Sequence, residues 1–394
     1  MTEEHYDIVI VGGGIHGAGI AQAAAAYGFS VLVLEKNLIG EGTSSRSSKL
    51  IHGGLRYLET GQFSLVRECL RERDLLLKLA PQLVHLKPFY IPVYKDTSRS
   101  RWQLRLGLIL YAALNGFKAS SRFSELSAAQ RQQLHGLSSE NLLTVFRYYD
   151  AQTDDQALTQ SVMQSALQLG AKVRTHADFL AAEINESCRL HYQCDEGLAR
   201  CSANMIINAA GPWINQVLER VQPRIQPLAI DLVQGTHIVL NVAALGDGIF
   251  YLEAPQDKRA VFAMPWRGKV MLGTTETTYS GVADEVKPLE QEVGYLLAVF
   301  KRYFPKYETV DLEILQQFAG LRVLPVSNES AFQRSRDTVI HVDNERQPRV
   351  VSVYGGKLTA YRLTAEKLLQ RILPVLPKRE RRAQTKSLGL RSLV

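Results

Sequence analysis

The chain has 394 residues, 46% hydrophobic and 22% charged, a balance that excludes intrinsic disorder and allows two domains or one large domain with an insertion. Its 46 basic and 39 acidic residues give a net charge of +7, which suits an anionic substrate, an anionic membrane surface or a nucleic acid without choosing among them. No apolar run reaches the length of a membrane span, the N-terminus leads into the first strand without room for a signal peptide, and four cysteines are too few for a disulfide framework. A cytoplasmic chain with reduced thiols is expected, free or peripheral on the cytoplasmic membrane face.

Residues 6–35, YDIVIVGGGIHGAGIAQAAAAYGFSVLVLE, form the first recognisable unit. Residues 7–11 read as an apolar strand, and Gly12, Gly14 and Gly17 give GxGxxG spacing at its end. Residues 18–27 are rich in helix formers closed by Gly28, and residues 29–34 read as a second strand ending at Glu35. In such a βαβ unit Gly12 allows a tight turn, Gly14 lets backbone approach a pyrophosphate, and Gly17 lets the helix lie close to the strand. Glu35 can accept hydrogen bonds from a ribose. The pattern points to a dinucleotide, and NAD satisfies it as well as FAD.

The loop over residues 40–48 is rich in small polar side chains. Thr43, Ser44, Ser45, Ser47 and Ser48 can donate to phosphate or ring oxygens, and Gly53 and Gly54 permit close backbone approach, although the same composition describes a solvated turn. Residues 62–79 place Phe63, Val66, Leu70 and Leu77 on one helical stripe, with arginines and glutamates elsewhere, as in a scaffold helix. Residues 99–117, RSRWQLRLGLILYAALNGF, suit either a membrane interface or a buried helix, and periodicity does not separate the two.

Residues 153–169 read as a helix capped by Thr153 or Asp154 and stopped by Gly170. Residues 173–177 and the alternating stretch to residue 199 suit a small antiparallel sheet. Residues 204–208 form a strand ending in AAGP, with Trp213 opening the next helix. From about residue 222 to 320 strands and turns dominate, including a hairpin of residues 260–266 and 269–274 turned by Arg267-Gly268, and a helix follows over 288–304. Residues 339–342 and 350–353 read as paired strands, and Gly355 and Gly356 lead into a helix over 358–373. The tail from Pro374 is basic and poorly patterned, and is expected to be disordered or loosely docked. Cys188, His191, Cys194 and Cys201 lie close in sequence, but without a CxxC pair no metal site is expected.

GGGIHGAGIA and TSSRSSKLIHGGLRYLE are followed in order by NAAGPW (208–213), QGTHIVL (234–240), GTTE (273–276), GLR (320–322) and YGGKLTAYR (354–362). Together they resemble the FAD-dependent glycerol 3-phosphate dehydrogenase family, within the larger D-amino-acid oxidase-like group of flavoproteins, over nearly the whole chain. The resemblance implies an α/β fold with a Rossmann-like FAD-binding domain, discontinuous over residues 1–80, 150–221 and 337–373. An interleaved antiparallel-sheet substrate or cap domain covers 81–149 and 222–336, with a basic tail over 374–394. Bacterial members usually continue into a separate helical domain, which is not expected here.

The resemblance further implies FAD as cofactor, bound by Gly12, Gly14, Gly17, Glu35, Thr43, Ser44, Ser48, Lys49, Gly53, Gly54, Gly211, Trp213, Gly356, Lys357, Leu358 and Thr359. The implied reaction is oxidation of glycerol 3-phosphate, a small anionic phosphate ester, to dihydroxyacetone phosphate by hydride transfer to flavin N5, with electrons passed to a quinone or another acceptor. The alternative in the same fold is an oxidase, or a dehydrogenase of another 2-hydroxy acid or amine. An RNA-modifying flavoprotein is the reading from another class, but without an RNA-binding module or an aromatic-interleaved basic patch no nucleic acid is expected.

Oxidising a secondary alcohol requires removal of the hydroxyl proton and stabilisation of the reduced flavin. His52 is the candidate base, with His237 its competitor. Lys357 and the N-terminus of the helix it opens are expected near flavin N1 and the C2 carbonyl. Arg322 and Arg336 match the family's substrate arginines, and Arg56 and Tyr57 can hold the hydroxyl end. Glu276 stands where the family commonly has Asp, Ala360 where a second Thr is common, and Val323 where Pro usually follows the arginine.

Overall fold

Among the residues that the computed structural model describes, 4–134, 136–326 and 338–392, two sheets of nine and ten strands carry the architecture. The first half of the chain supplies β1 (Glu4–Val11), α1 (Ile15–Ala26), β2 (Val31–Leu34), α2 (Phe63–Leu79), β3 (Val84–Tyr94), α3 (Arg101–Leu114), β4 (Leu142–Thr153) and α4 (Asp155–Gln168). Next come β5 (Lys172–Arg174), β6 (Asp178–Ile184), β7 (Cys188–Cys194), β8 (Gly197–Asn208), β9 (Ile230–Ala243), β10 (Ile249–Glu253), β11 (Ala260–Trp266) and β12 (Lys269–Gly273). The last principal elements are α5 (Glu290–Tyr303), β13 (Ile314–Pro325), β14 (Val339–Val342), β15 (Val350–Tyr354) and α6 (Tyr361–Ile372).

The first sheet runs β6-β7-β8-β1-β2-β5, with β15 and then β14 continuing from β8. The βαβ unit forms as its sequence requires: β1 and β2 pair in parallel, and Ile8, Val9 and Ile10 are buried as expected for a strand covered on both faces. Helix α1 is buried almost all round because α4 and α6 both lie against it, and its alanines allow that close approach. Two sequence expectations change here. Residues 197–208 are one strand, antiparallel to β7 in its first half and parallel to β1 from Cys201 onward. Residues 172–174 pair in parallel with β2 instead of joining an antiparallel sheet, because the α4 crossover delivers them in the β2 direction.

The second sheet runs β9-β12-β11-β10-β3-β4, with β13 on the other edge of β9, and only the β10–β3 contact is parallel among these. Leu50 and Ile51 pair with Gln152 and Ala151 of β4, so the chain crosses from one sheet to the other within residues 35–50. That crossing lays the serine loop along the gap between the sheets. The β11–β12 hairpin forms as expected, with Arg267 at φ 50° and Gly268 at φ 77°, the left-handed pair that a two-residue turn of this twist requires.

Packing corrects two further expectations, for α2 and for the tail, and gives α3 one buried and one exposed face. Helix α2 buries Val66, Cys69, Leu70, Arg73 and Leu76 and leaves Phe63 exposed. Arg73 belongs inside because its guanidinium pairs with Asp150 at 2.6 Å and donates to the Tyr149 carbonyl at 3.1 Å. Helix α3 is half-buried: Leu108, Tyr111 and Ala112 face the core, while Trp102, Leu106, Ile109 and Leu110 are exposed. No helix among the described residues is long and apolar enough to cross a membrane. The tail is docked, because its donors meet fixed acceptors. Arg379 pairs with the buried Asp7 at 2.7 Å, the Arg382 amide donates to the Ala26 carbonyl at 2.8 Å, and Thr385 and Leu390 are buried.

Candidate active site

A cleft of about 570 Å³ opens between the two sheets, and its walls come from the turn after β1, the serine loop, the AAGP turn after β8, the end of β13 and the turn after β15. At one end the glycine turn is as tight as its spacing demands. Gly12 has φ +107°, and a Cβ there would sit 2.6 Å from the Ala209 carbonyl oxygen; a Cβ on Gly17 would sit 1.9 Å from the Gly12 carbonyl oxygen. Gly17 therefore sits on the face of α1 that packs on the end of β1, outside the cleft lining, while Gly12 and Gly14 line it. Gly14 caps α1, whose first turn holds no acidic side chain, so its unpaired N–H groups and positive dipole end favour an anion. Glu35 closes β2 and accepts the Gly13 and Asn37 amides at 2.6 and 2.8 Å, which fixes its carboxylate at the cleft edge. Trp213 walls the same end, its indole N–H donating to Asp284 at 3.0 Å and Lys36 lying 3.9 Å from its ring.

Thr43, Ser44, Ser48, Gly211, Gly356, Leu358 and Thr359 also line the cleft. The serine loop spends many of its hydroxyls on its own conformation. Thr43 donates to the Leu321 carbonyl at 3.1 Å, Ser45 to the Glu41 carbonyl at 2.7 Å, and Ser47 accepts the Lys49 amide at 3.1 Å. Ser44 accepts the Ile15 amide at 2.9 Å, which leaves its own proton to donate.

Besides Gly17, two more of the expected cofactor residues lie outside the cleft lining. Lys49 is buried away from the cleft, 2.6 Å from Asp155, because that carboxylate heads α4 at 0% exposure and requires a cation. Gly53 is pressed against the Tyr111 hydroxyl and Leu70, and its missing side chain makes room for protein packing. The N-terminus expected at Lys357 is also modified: residues Leu358–Ala360 form one 3-10 turn before α6 begins at Tyr361. Arg336 lies outside the described residues.

At the other end the structure brings together His52, Arg56, Tyr57, His237, Arg322 and Lys357. Arg56 and Arg322 converge on Glu276, at 3.9 and 3.5 Å, and Arg322 also donates to Thr274 at 3.1 Å. Lys357 lies 3.6 Å from the centre of the Tyr57 ring, and its Nζ is buried without a hydrogen-bond partner among the described residues. Arg259 donates to the Glu276 backbone carbonyl at 2.8 Å, so Arg56, Arg259, Arg322 and Lys357 line the cleft with the Glu276 carboxylate facing two of them, an excess of positive charge that attracts an anion.

His237 is buried, stacked on Phe318 and hydrogen-bonded through Nε2 to Ser48 at 2.9 Å. Burial, helped by Arg322 and Lys49, pushes it down to about 3, so it stays neutral at working pH. The His52 backbone is clasped by Thr359, whose hydroxyl oxygen accepts its amide at 3.1 Å.

Thr274, Glu276 and Arg259 complete this end without having been singled out as site residues. The GTTE motif marks the first two, whereas nothing in the sequence around Arg259 marks it. His16 was also passed over: it is half-buried in the cleft beside Gly356, its Nδ1 has no partner among the described residues, and burial pushes it down to about 4.

A family model described as FAD dependent oxidoreductase matches residues 7–362. The chain belongs to the FAD-dependent oxidoreductase family. A glycerol-3-phosphate dehydrogenase of Pseudomonas aeruginosa is 38% identical to this oxidoreductase over 379 residues, covering 94% of this chain and 72% of the relative. A D-erythritol 1-phosphate dehydrogenase of Brucella abortus is 35% identical over 382 residues, covering 95% and 75%. Among solved structures, a glycerol-3-phosphate dehydrogenase of Bacillus halodurans complexed with FAD superposes with a TM-score of 0.74 at 25% identity, covering 99% of this chain and 68% of that one.

FAD is the cofactor, and the residues present fit it. The Gly12 turn and the α1 N-terminus match the demands of a pyrophosphate, and the carboxylate of Glu35 stands beside that turn, bonded to the Gly13 amide. The buried, partnerless Lys357 Nζ and His16 Nδ1 are polar atoms that a bound group would satisfy.

Proposed function

We propose that this oxidoreductase oxidises the secondary alcohol of a polyol phosphate, with glycerol 3-phosphate the first candidate and dihydroxyacetone phosphate its product. The observation that carries this reading is the convergence of Arg56 and Arg322 on Glu276, beside the partnerless ammonium of Lys357. A phosphate monoester is best held by guanidinium groups, which stay charged and donate parallel hydrogen bonds. Arg322 is the primary phosphate ligand, and Glu276 keeps Arg56 and Arg322 at a fixed spread. Bound FAD supplies the two-electron oxidant.

The chain's own residues orient the alcohol and manage its proton. His52 accepts the hydroxyl proton at its imidazole, and the Thr359 clasp on its backbone fixes the ring's origin. His237 is an unsuitable base, because the burial that keeps it neutral also opposes the imidazolium that proton transfer would create. It acts as an orienting wall, held by Ser48 and Phe318. Tyr57 carries Lys357 against its ring, so the ammonium is set by packing as well as by charge.

Anaerobic mixing of the holoenzyme with glycerol 3-phosphate tests the reading: the flavin bleaches and dihydroxyacetone phosphate forms in equal amount. A longer polyol phosphate is the second reading, favoured by the Brucella relative's name, and D-erythritol 1-phosphate is the comparison substrate.

The electron acceptor is a quinone reached at a membrane surface. The support is the outward apolar face of α3, Trp102, Leu106, Ile109 and Leu110, flanked by Arg101 and Arg105. Co-sedimentation with anionic vesicles at low salt is expected, and its absence refutes this attachment.

A further inference from the structure

The loop that carries the proposed base and substrate arginine is held from two sides. On one side the Thr359 hydroxyl oxygen accepts the His52 amide at 3.1 Å. On the other, the Gly53 amide donates to the Tyr111 hydroxyl at 2.9 Å, and that hydroxyl donates to Asp150 at 2.7 Å. Asp150 is anchored by Arg73 at 2.6 Å, and Arg73 is held further by the Tyr149 carbonyl at 3.1 Å and Ser121 at 2.9 Å. Tyr111, Asp150 and Arg73 are each at most 1% exposed, so the network is closed to bulk solvent and its members satisfy one another. Burial beside Asp150 pushes the Tyr111 phenol well above its ordinary range, so it keeps the proton it donates.

The geometry admits little slack at the joint. A side chain on Gly53 would lie 2.5 Å from the Tyr111 oxygen and 2.7 Å from Leu70, and Gly54 turns the chain at φ +79° directly into the Leu55–Leu58 turn that aims Arg56 and Tyr57 at the cleft. The position of residues 52–57 is therefore set by two hydroxyls, one on the 3-10 turn before α6 and one on α3.

We propose that Tyr111 is a positioning residue for the reaction, its hydroxyl fixing the Gly53 amide so that His52 and Arg56 meet the substrate in register. It touches neither substrate nor cofactor and acts only through the loop. This inference rests on the reading that residues 52–57 serve the proposed oxidation. Its consequence is specific: losing the hydroxyl removes the 2.9 Å acceptor of the Gly53 amide and leaves it only the Asp150 carboxylate behind, toward which the loop must shift. Arg322 stands on β13 and is untouched by the shift.

Tyr111→Phe keeps the ring and its edge-on contact with Tyr148, whose centre lies 6.0 Å away. Holoenzyme of this variant is expected to keep FAD. Its kcat for glycerol 3-phosphate should fall roughly 10- to 100-fold while KM stays within about threefold, as misplacement near the reacting groups costs rate before affinity. Amide exchange in the peptide over residues 50–58 should quicken, with other peptides unchanged. Ser121→Ala cuts the same network at its far end and should leave kcat within about twofold.

Wild-type kcat in Tyr111→Phe overturns the proposal, as does an equal loss in Ser121→Ala, which would assign the effect to general packing. A Tyr111→Phe protein that fails to fold or to keep FAD overturns it too, since the hydroxyl is then a folding element. Failure of the underlying reading looks different: the wild-type flavin stays oxidised with glycerol 3-phosphate.

Discussion

Replacing Arg322 by methionine isolates the contribution of charge at the substrate end, because the aliphatic stem is kept and only the guanidinium is lost. A unit charge pair at about 4 Å is worth about 4 kcal/mol at an effective dielectric constant of ~20. A hydrogen bond to a charged group contributes ~1.5–3 kcal/mol. Arg322 is not devoted to the ligand alone, since Glu276 lies 3.5 Å from it and Thr274 3.1 Å, and 22% of its side chain meets solvent. The lower part of the range applies, ~2–3 kcal/mol, or roughly 30- to 150-fold in kcat/KM.

Stopped-flow reduction of the flavin under anaerobic conditions reads this directly, with glycerol 3-phosphate and unphosphorylated glycerol run side by side. The loss should fall on the phosphate ester and largely spare glycerol, so that the preference for the ester collapses. Arg322→Lys should recover part of it, since the charge returns without the paired donors. An equal loss for both substrates, or no loss for either, would refute the assignment of Arg322 to the phosphate.

Gly17→Ala should abolish retention of FAD on purification, because the added methyl would lie 1.9 Å from the Gly12 carbonyl and force α1 off β1; absorbance of the purified protein in the visible range checks it. Lys49→Met leaves Asp155 buried and unpaired and should cost ~3–5 kcal/mol of stability, read as a lower midpoint in denaturant, with Lys49→Met/Asp155→Asn recovering part of the loss. The pH dependence follows from His237. Its folded pKa of about 3 lies below the ordinary 6.5, so between those values the unfolded chain binds more protons. Stability from this group is complete above pH ~6.5 and falls as pH drops, by ~2 kcal/mol at pH ~5. Melting curves of wild type and His237→Asn across that window should converge on acidification, and a constant gap would refute the buried neutral state.

Much of the nucleotide end was legible because its determinants are local. Gly12, Gly14, Gly17 and Glu35 act through the backbone of one βαβ unit, and the Arg267-Gly268 turn follows from two residues. What the sequence hid are side chains whose role depends on partners far along the chain. Lys49 looks like a loop donor until Asp155, 106 residues later, is found beside it. Arg73 looks like solvent-facing charge until Asp150 arrives, and the basic tail looks unstructured until Asp7 and the Ala26 carbonyl receive it.

Strand β3 went unread for a related reason. Pro88 and Pro92 usually argue against a strand, yet β3 has only one long neighbour, β4, while β10 reaches only Phe89 and Tyr90. At the substrate end the motifs named Arg56, Arg322 and Lys357, but their convergence is a property of two sheets meeting, and Glu276 at its centre had stood out only as a departure from the family pattern.

The account's central claim is that the Arg56, Arg322 and Lys357 constellation serves oxidation of a polyol phosphate at FAD, and anaerobic titration of the yellow holoenzyme tests it most directly. Glycerol 3-phosphate should bleach the flavin with one equivalent of dihydroxyacetone phosphate formed per flavin, while glycerol, 2-hydroxy acids and amino acids leave it oxidised at the same concentration. A flavin that stays oxidised with glycerol 3-phosphate and D-erythritol 1-phosphate but bleaches with an amino acid or a 2-hydroxy acid would contradict it.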